Sequence, residues 1–549
     1  MHAIDIDMQR NLAEMARTPF DIVIIGGGIT GASIAWDASL RGLRVALLEK
    51  GDFASATTSA SSKLIHGGLR YLRNFEFGLV RESLRERRIW QNIAPHMVTP
   101  LQFILPGASR IQNLTLRAGL VLYDLLSFDR NKGMSTEKYL PGHGALSPAQ
   151  AVAAEPLLEG AATAGALSYY DCQMHTPERL ALEFLAGAVT NGAQIANYAQ
   201  VMRLNGTAGR ITGIHVRDVI NGQEYDIAAS LTINAAGPWA DYIVIVANNP
   251  GAIKLQRSKG IHLITRALSR HAIAVIGDTA HFFVLPWRGH SILATTDTPF
   301  TDDPDKLSVT EKDVAELLAK VNHGLPQAKL TRADVLHSYA GLRPLVADPA
   351  DPGANTYGAS RGSEVFDHAK EEGRKGLITV LGGKWTTSRH LAQQVVDLAL
   401  RKLDRAAQSC RTTHTPLIGA MKHFPTFVQE AHKQNPELDR ALIEHLARAY
   451  GTRMDKIIRL IAEDPAMATP LAPHLPEVAA QIRHAARHEL ALTLEDATFR
   501  RTGLCTLGHP GTAALEKAAA IMSGELGWDA PERARQIAAV ERRFIPAPL

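Results

Sequence analysis

The sequence predicts a mixed α/β (α+β) fold that joins a nucleotide-binding βαβ unit, an antiparallel sheet and a separate helical domain. Three observations carry that expectation. Residues 21–25 form a short apolar run that ends in three glycines, residues 255–300 hold β-rich stretches, and from about residue 411 apolar positions recur at helical spacing. A chain of 549 residues is long enough for two or three domains with ample cores.

Taken in order, residues 21–25 read as a buried strand, 29–41 as a helix and 45–48 as a second strand. Between the first two, Gly26-Gly27-Gly28-Ile29-Thr30-Gly31 fits G-x-G-x-x-G. The first glycine of that pattern allows the tight turn, the second admits a pyrophosphate to the backbone, and the third lets helix pack on strand. The helix N-terminus then presents its positive dipole end to the phosphates. Glu49 closes the second strand, where a carboxylate accepts hydrogen bonds from ribose hydroxyls. Glycines alone would equally suit a tight strand–helix turn; strand, helix and Glu49 together point to a dinucleotide, FAD or NAD. Two further apolar runs, 231–237 and 377–383, end in Gly237 and in Gly382-Gly383 and read as strands that deliver glycine loops to a ligand. The nucleotide domain is therefore expected to be assembled from separated segments. Residues 281–287 read as antiparallel strand, and 438–450, 453–463, 477–490, 512–523 and 532–542 as helices of a C-terminal domain.

Composition narrows the function classes. With 59 Lys+Arg against 55 Asp+Glu the net charge is +4, too dilute for a nucleic-acid binder. Hydrophobic residues at 46% and charged residues at 21% argue against disorder. Cys172, Cys410 and Cys505 lie far apart, which excludes a disulfide framework, a clustered cysteine zinc site and a four-thiolate iron–sulfur site; no metal site is in view. The N-terminus carries Asp5, Asp7 and Glu14 without an apolar h-region, so no secretory signal is expected, and no apolar run is long enough to span a bilayer. Between Arg110 and Phe128, residues Ile111, Leu114, Ala118, Val121, Leu122 and Leu125 recur on one helix face beside Arg110 and Arg117. The plainer expectation is a core-facing helix; the alternative is a helix lying on a membrane surface.

Beyond Glu49 the chain reads Thr58-Ser59-Ala60-Ser61-Ser62-Lys63-Leu64-Ile65-His66-Gly67-Gly68-Leu69-Arg70-Tyr71-Leu72. Later come Asn234-Ala235-Ala236-Gly237-Pro238-Trp239, Thr295-Thr296-Asp297, Gly341-Leu342-Arg343-Pro344-Leu345 and Gly382-Gly383-Lys384-Trp385-Thr386-Thr387. This series closely resembles the FAD-dependent glycerol-3-phosphate dehydrogenases of aerobic bacterial respiration, from about residue 18 into the C-terminal helical region. The resemblance implies a D-amino-acid-oxidase-like fold. Its discontinuous FAD domain would comprise 18–95, 165–250 and 335–405, its antiparallel substrate domain 96–164 and 251–334, and its helical C-terminal domain 411–549. The cysteine-rich region of anaerobic relatives and the insertion of peroxide-forming relatives are both missing from this sequence. Trp385 stands where the family has a smaller aliphatic residue.

Oxidising a secondary alcohol phosphate requires a clamp for the dianion, a base for the hydroxyl proton and a hydride acceptor. Arginine suits the clamp because its planar fork meets phosphate oxygens bidentately. The resemblance puts Arg343 first and Arg70 second, with Arg361 at a third substrate position and Tyr71 as a hydroxyl donor. It makes His262 the base and brings Lys384 to the substrate or the flavin edge. Gly26, Gly28, Gly31, Glu49, Ser61, Ser62, His66, Gly237, Gly383, Lys384 and Thr386 are its cofactor set. Hydride would pass from C2 of sn-glycerol 3-phosphate to flavin, giving dihydroxyacetone phosphate, with backbone N–H groups of Thr386 and Thr387 facing the reduced ring. The plain alternatives are surface ion pairs for the arginines, a packed tyrosine, a solvated lysine and a packed histidine. The resemblance further implies electron transfer to a membrane quinone. It implies a protein peripheral to the cytoplasmic face of the inner membrane, or cytoplasmic, and is compatible with a homodimer. Rival functions are an amino-acid or amine oxidase of the same fold, an NAD-dependent dehydrogenase, and a non-catalytic flavin-binding scaffold.

Overall fold

The computed structural model describes residues 7–547 except 208, 246–252, 254, 278–280 and 347–361, and leaves the side chains of Arg70, Arg73, Asn74 and Val346 undescribed. Two sheets carry the catalytic half of the chain. In the first, the strands run Ser363–Asp367, Leu377–Gly382, Glu224–Asn234, Phe20–Ile25, Val45–Leu48 and Gln194–Ala196. Along this row all neighbours are parallel except the first pair, and two more strands, Arg210–Asp218 and Ala199–Thr207, add an antiparallel extension to Glu224–Asn234. Parallel strands must be covered on both faces, and every residue of Phe20–Ile25 is buried. Helices Ile29–Leu40, Pro177–Thr190 and Ser388–Lys402 supply one cover, with Trp36 packed edge-on against Phe184 at 4.9 Å. The glycine ends of all three expected strands thus meet at one edge of the sheet.

The second sheet has ten strands and is mostly antiparallel. Its centre of interest is the pairing of Leu255–Thr265 with Val335–Val346, in register from Leu255 opposite Val346 to Ile264 opposite His337. One face packs on helix Glu311–Gly324 through Val314, Leu317, Leu318 and Val321. The strand pairings move three segments relative to the expected division, the first being Leu64–Ile65, which pairs with Ala166–Met174 in the antiparallel sheet. Ala166–Met174 pairs with Val98–Pro106, and Val335–Val346 pairs with Leu255–Thr265, so both belong to the antiparallel sheet although they were expected in the nucleotide domain. Extended apolar runs look alike in either sheet; only the partner strand decides.

The C-terminal region is helical throughout. Arg440–Tyr450, Met454–Glu463, Ala479–His488, Thr512–Leu526 and Ala530–Arg542 fall on the expected windows. An additional helix, Phe424–Gln434, and a π-helical turn, Asp496–Arg501, were not foreseen.

Helix Arg110–Leu126 corrects the core-facing expectation. Ile111, Leu114 and Leu125 are 79%, 71% and 66% exposed, and Phe128 beyond the helix end is 76% exposed. The helix carries a second apolar face, and it is Leu120 and Tyr123 that enter the core. Among the described residues no helix is long and apolar enough to cross a membrane.

Candidate active site

The strand–turn–helix at the first sheet's edge is shaped by glycine at specific positions. Gly26 adopts φ +110°, and a Cβ there would lie 2.5 Å from the Ala235 carbonyl oxygen. A Cβ on Gly31 would sit 1.9 Å from the Gly26 carbonyl oxygen, so helix and turn touch only because that side chain is missing. Gly28 is different: its Cβ would meet only the Thr58 hydroxyl, at 3.2 Å, and the residue lines a cavity of about 810 Å³. Gly26, Gly28, Glu49, Gly237, Gly383 and Lys384 all line that cavity. The volume is within the range of cofactor sites.

Glu49 ends Val45–Leu48 with its side chain directed back at the turn. One carboxylate oxygen accepts the Gly27 N–H at 2.7 Å and the other accepts the Gly51 N–H at 2.8 Å. Burial raises its pKa, and the two N–H bonds oppose that rise. Each oxygen keeps a further lone pair for a ribose hydroxyl. Thr58, unforeseen from sequence, accepts the Ile29 N–H at 3.0 Å and so caps the helix that would face the phosphates. An open glycine cradle, a helix start and an acid at the strand end fit a dinucleotide on this cavity.

The ladder between Leu255–Thr265 and Val335–Val346 meets the cavity through Tyr339, Gly341 and Leu342, while His262 and Arg343 stand behind its wall. Side chains alternate along strands, so Ser258, Gly260 and His262 share a face with Tyr339 and Arg343. The bare Gly260 leaves room for the Arg343 guanidinium, whose atoms lie 2.2–2.7 Å from where a Cβ would stand. The guanidinium donates to Thr295 Oγ1 at 2.9 Å, the Thr296 carbonyl at 3.0 Å and Ser258 Oγ at 3.3 Å. His262 stacks on Tyr339, with ring centroids 4.8 Å apart and planes 9° apart, and its Nε2 shares a hydrogen bond with Ser62 Oγ at 2.9 Å. The imidazole is buried. That burial first, and the charges of Arg343 and Lys63 after it, hold its pKa well below the ordinary value, so the ring is neutral. The Tyr339 hydroxyl donates to the Ser61 carbonyl at 3.1 Å.

The remaining expected residues distribute around this frame. The Lys384 ammonium donates to Ser83 Oγ at 2.9 Å and lies 4.3 Å from the Tyr71 ring, so Lys384 and Tyr71 are brought together. The His66 N–H donates to Thr386 Oγ1 at 3.1 Å, and the Thr386 carbonyl accepts the Trp90 indole N–H. Ser61, Ser62, His66 and Thr386 stand off the cavity wall, and Gly31 lies beneath it. Trp385 fills its departure from the family pattern by packing on Trp90 at 5.3 Å and donating to the Thr58 carbonyl. Arg361 and the side chain of Arg70 lie outside the described residues. Gly260 and Tyr339 were missed, because both depend on the pairing of two strands about eighty residues apart, which the local sequence does not carry.

A parallel sheet with this glycine turn, closed by an antiparallel sheet bearing a buried histidine and an arginine, defines a two-sheet dinucleotide-dependent oxidoreductase. The sequence matches the family described as FAD dependent oxidoreductase over residues 21–389, and the C-terminal domain of alpha-glycerophosphate oxidase over 410–533. It is 36% identical to a glycerol-3-phosphate dehydrogenase of Synechocystis sp., covering 96% of this chain and 97% of that one. It is 33% identical to the mitochondrial glycerol-3-phosphate dehydrogenase of Homo sapiens, across 96% of this chain and 73% of the relative. The fold is also that of the glycerol-3-phosphate dehydrogenase of Bacillus halodurans solved with FAD: TM-score 0.77, 28% identity, 97% of this chain and 96% of that one. The chain belongs to the FAD-dependent oxidoreductase family, within its glycerol-3-phosphate dehydrogenases. FAD, not NAD, is therefore the dinucleotide. A glycine oxidase of Geobacillus kaustophilus, 21% identical with TM-score 0.52 over 74% of this chain, shares the fold alone.

Proposed function

We propose that the protein oxidises sn-glycerol 3-phosphate to dihydroxyacetone phosphate, with Arg343 binding the phosphate and His262 receiving the C2 hydroxyl proton. The observation that carries this reading is the ladder face itself, where a guanidinium laid across Gly260 neighbours a buried, neutral imidazole. Bound FAD supplies the hydride acceptor. Gly26, Gly28, Glu49, Gly237 and Gly383 would hold it, with Gly31 keeping the turn closed. His262 acts through Nε2, whose contact with Ser62 and stacking on Tyr339 fix the ring. Lys384, cation and neighbour of Tyr71, adds positive charge near the anionic substrate; Arg70 and Arg361 are assigned to the clamp by the family resemblance alone. Ser61, Ser62, His66 and Thr386 support the flavin end from behind the cavity wall.

The test is an anaerobic absorbance spectrum before and after addition of sn-glycerol 3-phosphate. Bleaching of the oxidised flavin band is expected; a band that persists with this substrate and bleaches with an amino acid would overturn the assignment.

Electron delivery to a membrane quinone, from a protein resting on the cytoplasmic face of the inner membrane, is supported by helix Arg110–Leu126. Its outer face exposes Ile111, Leu114, Leu125 and then Phe128, a larger apolar patch than a lone soluble chain needs. On its inner face the Tyr123 hydroxyl accepts the Gly67 N–H at 2.9 Å, beside His66. Sedimentation with anionic vesicles checks the surface: Ile111→Asp with Leu114→Asp should remove vesicle binding while flavin bleaching by substrate is retained.

A further inference from the structure

The loop after Glu49 is held from the C-terminal domain. Asp52 is fully buried, and its carboxylate accepts Arg500 Nε at 2.6 Å, Arg501 Nη1 at 2.6 Å and Nη2 at 2.8 Å, and Asn197 Nδ2 at 3.0 Å. Arg500 and Arg501 are consecutive, and on an ordinary α-helix consecutive side chains point about 100° apart. Here they belong to the π-helical turn Asp496–Arg501, and both reach the one carboxylate. Arg500 also donates to Asp496 and Glu495, and Asp496 accepts the Tyr198 hydroxyl at 2.7 Å, so the arginines are themselves fixed.

Asp52 connects directly to the cofactor cradle. Three residues before it stands Glu49, tied to Gly27 and Gly51. The residues after it lock onto the glycine turn: the Ala54 N–H donates to the Gly27 carbonyl at 3.1 Å, and a Cβ on Gly27 would meet the Phe53 ring at 2.7 Å. Lys50, Gly51 and residues 54–58 line the cavity. The C-terminal domain also reaches that wall through Arg542, Arg543 and Ile545.

We propose that the C-terminal helical domain is part of the FAD site: Arg500 and Arg501, acting through Asp52, are positioning residues that hold the 49–58 loop in the shape that binds the adenosine half of FAD. The proposal rests on FAD occupying this cavity. A buried carboxylate stripped of its guanidinium partners rearranges or draws in water, and the loop that carries Glu49 rearranges with it.

The test is the affinity of full-length, flavin-stripped protein for FAD, followed by flavin fluorescence, with the thermal midpoint of each flavin-free variant as a measure of folding. Arg501→Gln and Asp52→Asn are expected to weaken FAD at least tenfold. Arg501→Lys, which keeps the charge and folds more readily, should fall between them and the unaltered protein. Arg288→Gln is the control, because Arg288 joins the second sheet to the C-terminal domain at Glu477, Gly503 and Thr506 and does not line the cavity. It should lower the thermal midpoint and leave FAD affinity within about threefold, since it disturbs no group that meets the cradle. The double variant Glu49→Gln, Asp52→Asn should bind FAD no worse than the weaker single variant, as expected of residues acting in series. Equal weakening by Arg288→Gln and Arg501→Gln overturns the proposal, because the domain would then lend only general stability. Unchanged affinity in folded Arg501→Lys and Asp52→Asn overturns it as well. Failure of the unaltered protein to bind FAD would instead overturn the cofactor reading on which the proposal rests.

Discussion

The two ends of the active site are built from different materials. The dinucleotide end is made of backbone: Gly26 and Gly31 pack main chain against main chain, and Glu49 and Thr58 bond to main-chain N–H groups. The substrate end is made of side chains on a rigid ladder, where Arg343, His262 and Tyr339 touch one another's neighbourhoods across paired strands. A backbone site tolerates no added atom, because close-packed main chain has nowhere to go. A side-chain site tolerates replacement structurally and loses only the chemistry of the group removed.

The sharpest break of that comparison is Gly31→Ala. Its Cβ would overlap the Gly26 carbonyl at 1.9 Å, an atom that cannot swing aside. FAD affinity should fall at least a thousandfold, about 4 kcal/mol, and the protein should purify without yellow colour. A yellow, tightly flavinated Gly31→Ala protein would show that the turn is softer than its packing indicates.

Arg343→Lys probes the opposite end and should leave the flavin content unchanged. Lysine keeps the charge but loses the planar fork held by Ser258, Thr295 and Thr296. Steady-state kinetics should show kcat/KM for sn-glycerol 3-phosphate lower by about 100-fold, or about 2.7 kcal/mol. A change in flavin retention of the same size would erase the distinction between the two ends.

The same division explains what the sequence made legible. A backbone site is local, so the residues from Gly26 to Gly31 and Glu49 spell it out within one βαβ unit, and the helical windows after residue 411 needed only their own periodicity. The substrate end depends on which strands pair. Tyr339 beneath His262, and Gly260 beneath Arg343, follow from a register between segments about eighty residues apart that no local pattern announces. The Arg110–Leu126 helix failed for a related reason: it carries two apolar faces, and periodicity cannot say which one the rest of the chain covers. Asp52 was silent because its partners, Arg500 and Arg501, stand more than four hundred residues away.

The smallest effect is also the most discriminating, since it separates the chemistry of the substrate end from its stability. Burial, then the charges of Arg343 and Lys63, hold the His262 pKa well below 6.5. The imidazole therefore stays neutral as pH falls, and kcat/KM at pH 6 should remain within about twofold of its value at pH 8, where a histidine of ordinary pKa would give about a fourfold loss. Stability moves the other way. Below about pH 6.5 the unfolded chain binds a proton that the folded chain refuses, so each such histidine withdraws up to about 1.4 kcal/mol per pH unit until its folded pKa is reached. Burial pushes His96 and His337 down to about 3, so they add to the same loss. Lowering the pH from 7 to 5 should depress the thermal midpoint while the initial rate at fixed low substrate stays nearly flat down to pH 6. A rate that falls fourfold between pH 8 and 6 alongside the melting temperature would mean that His262 titrates in contact with water, and the base would have to be sought elsewhere on the ladder.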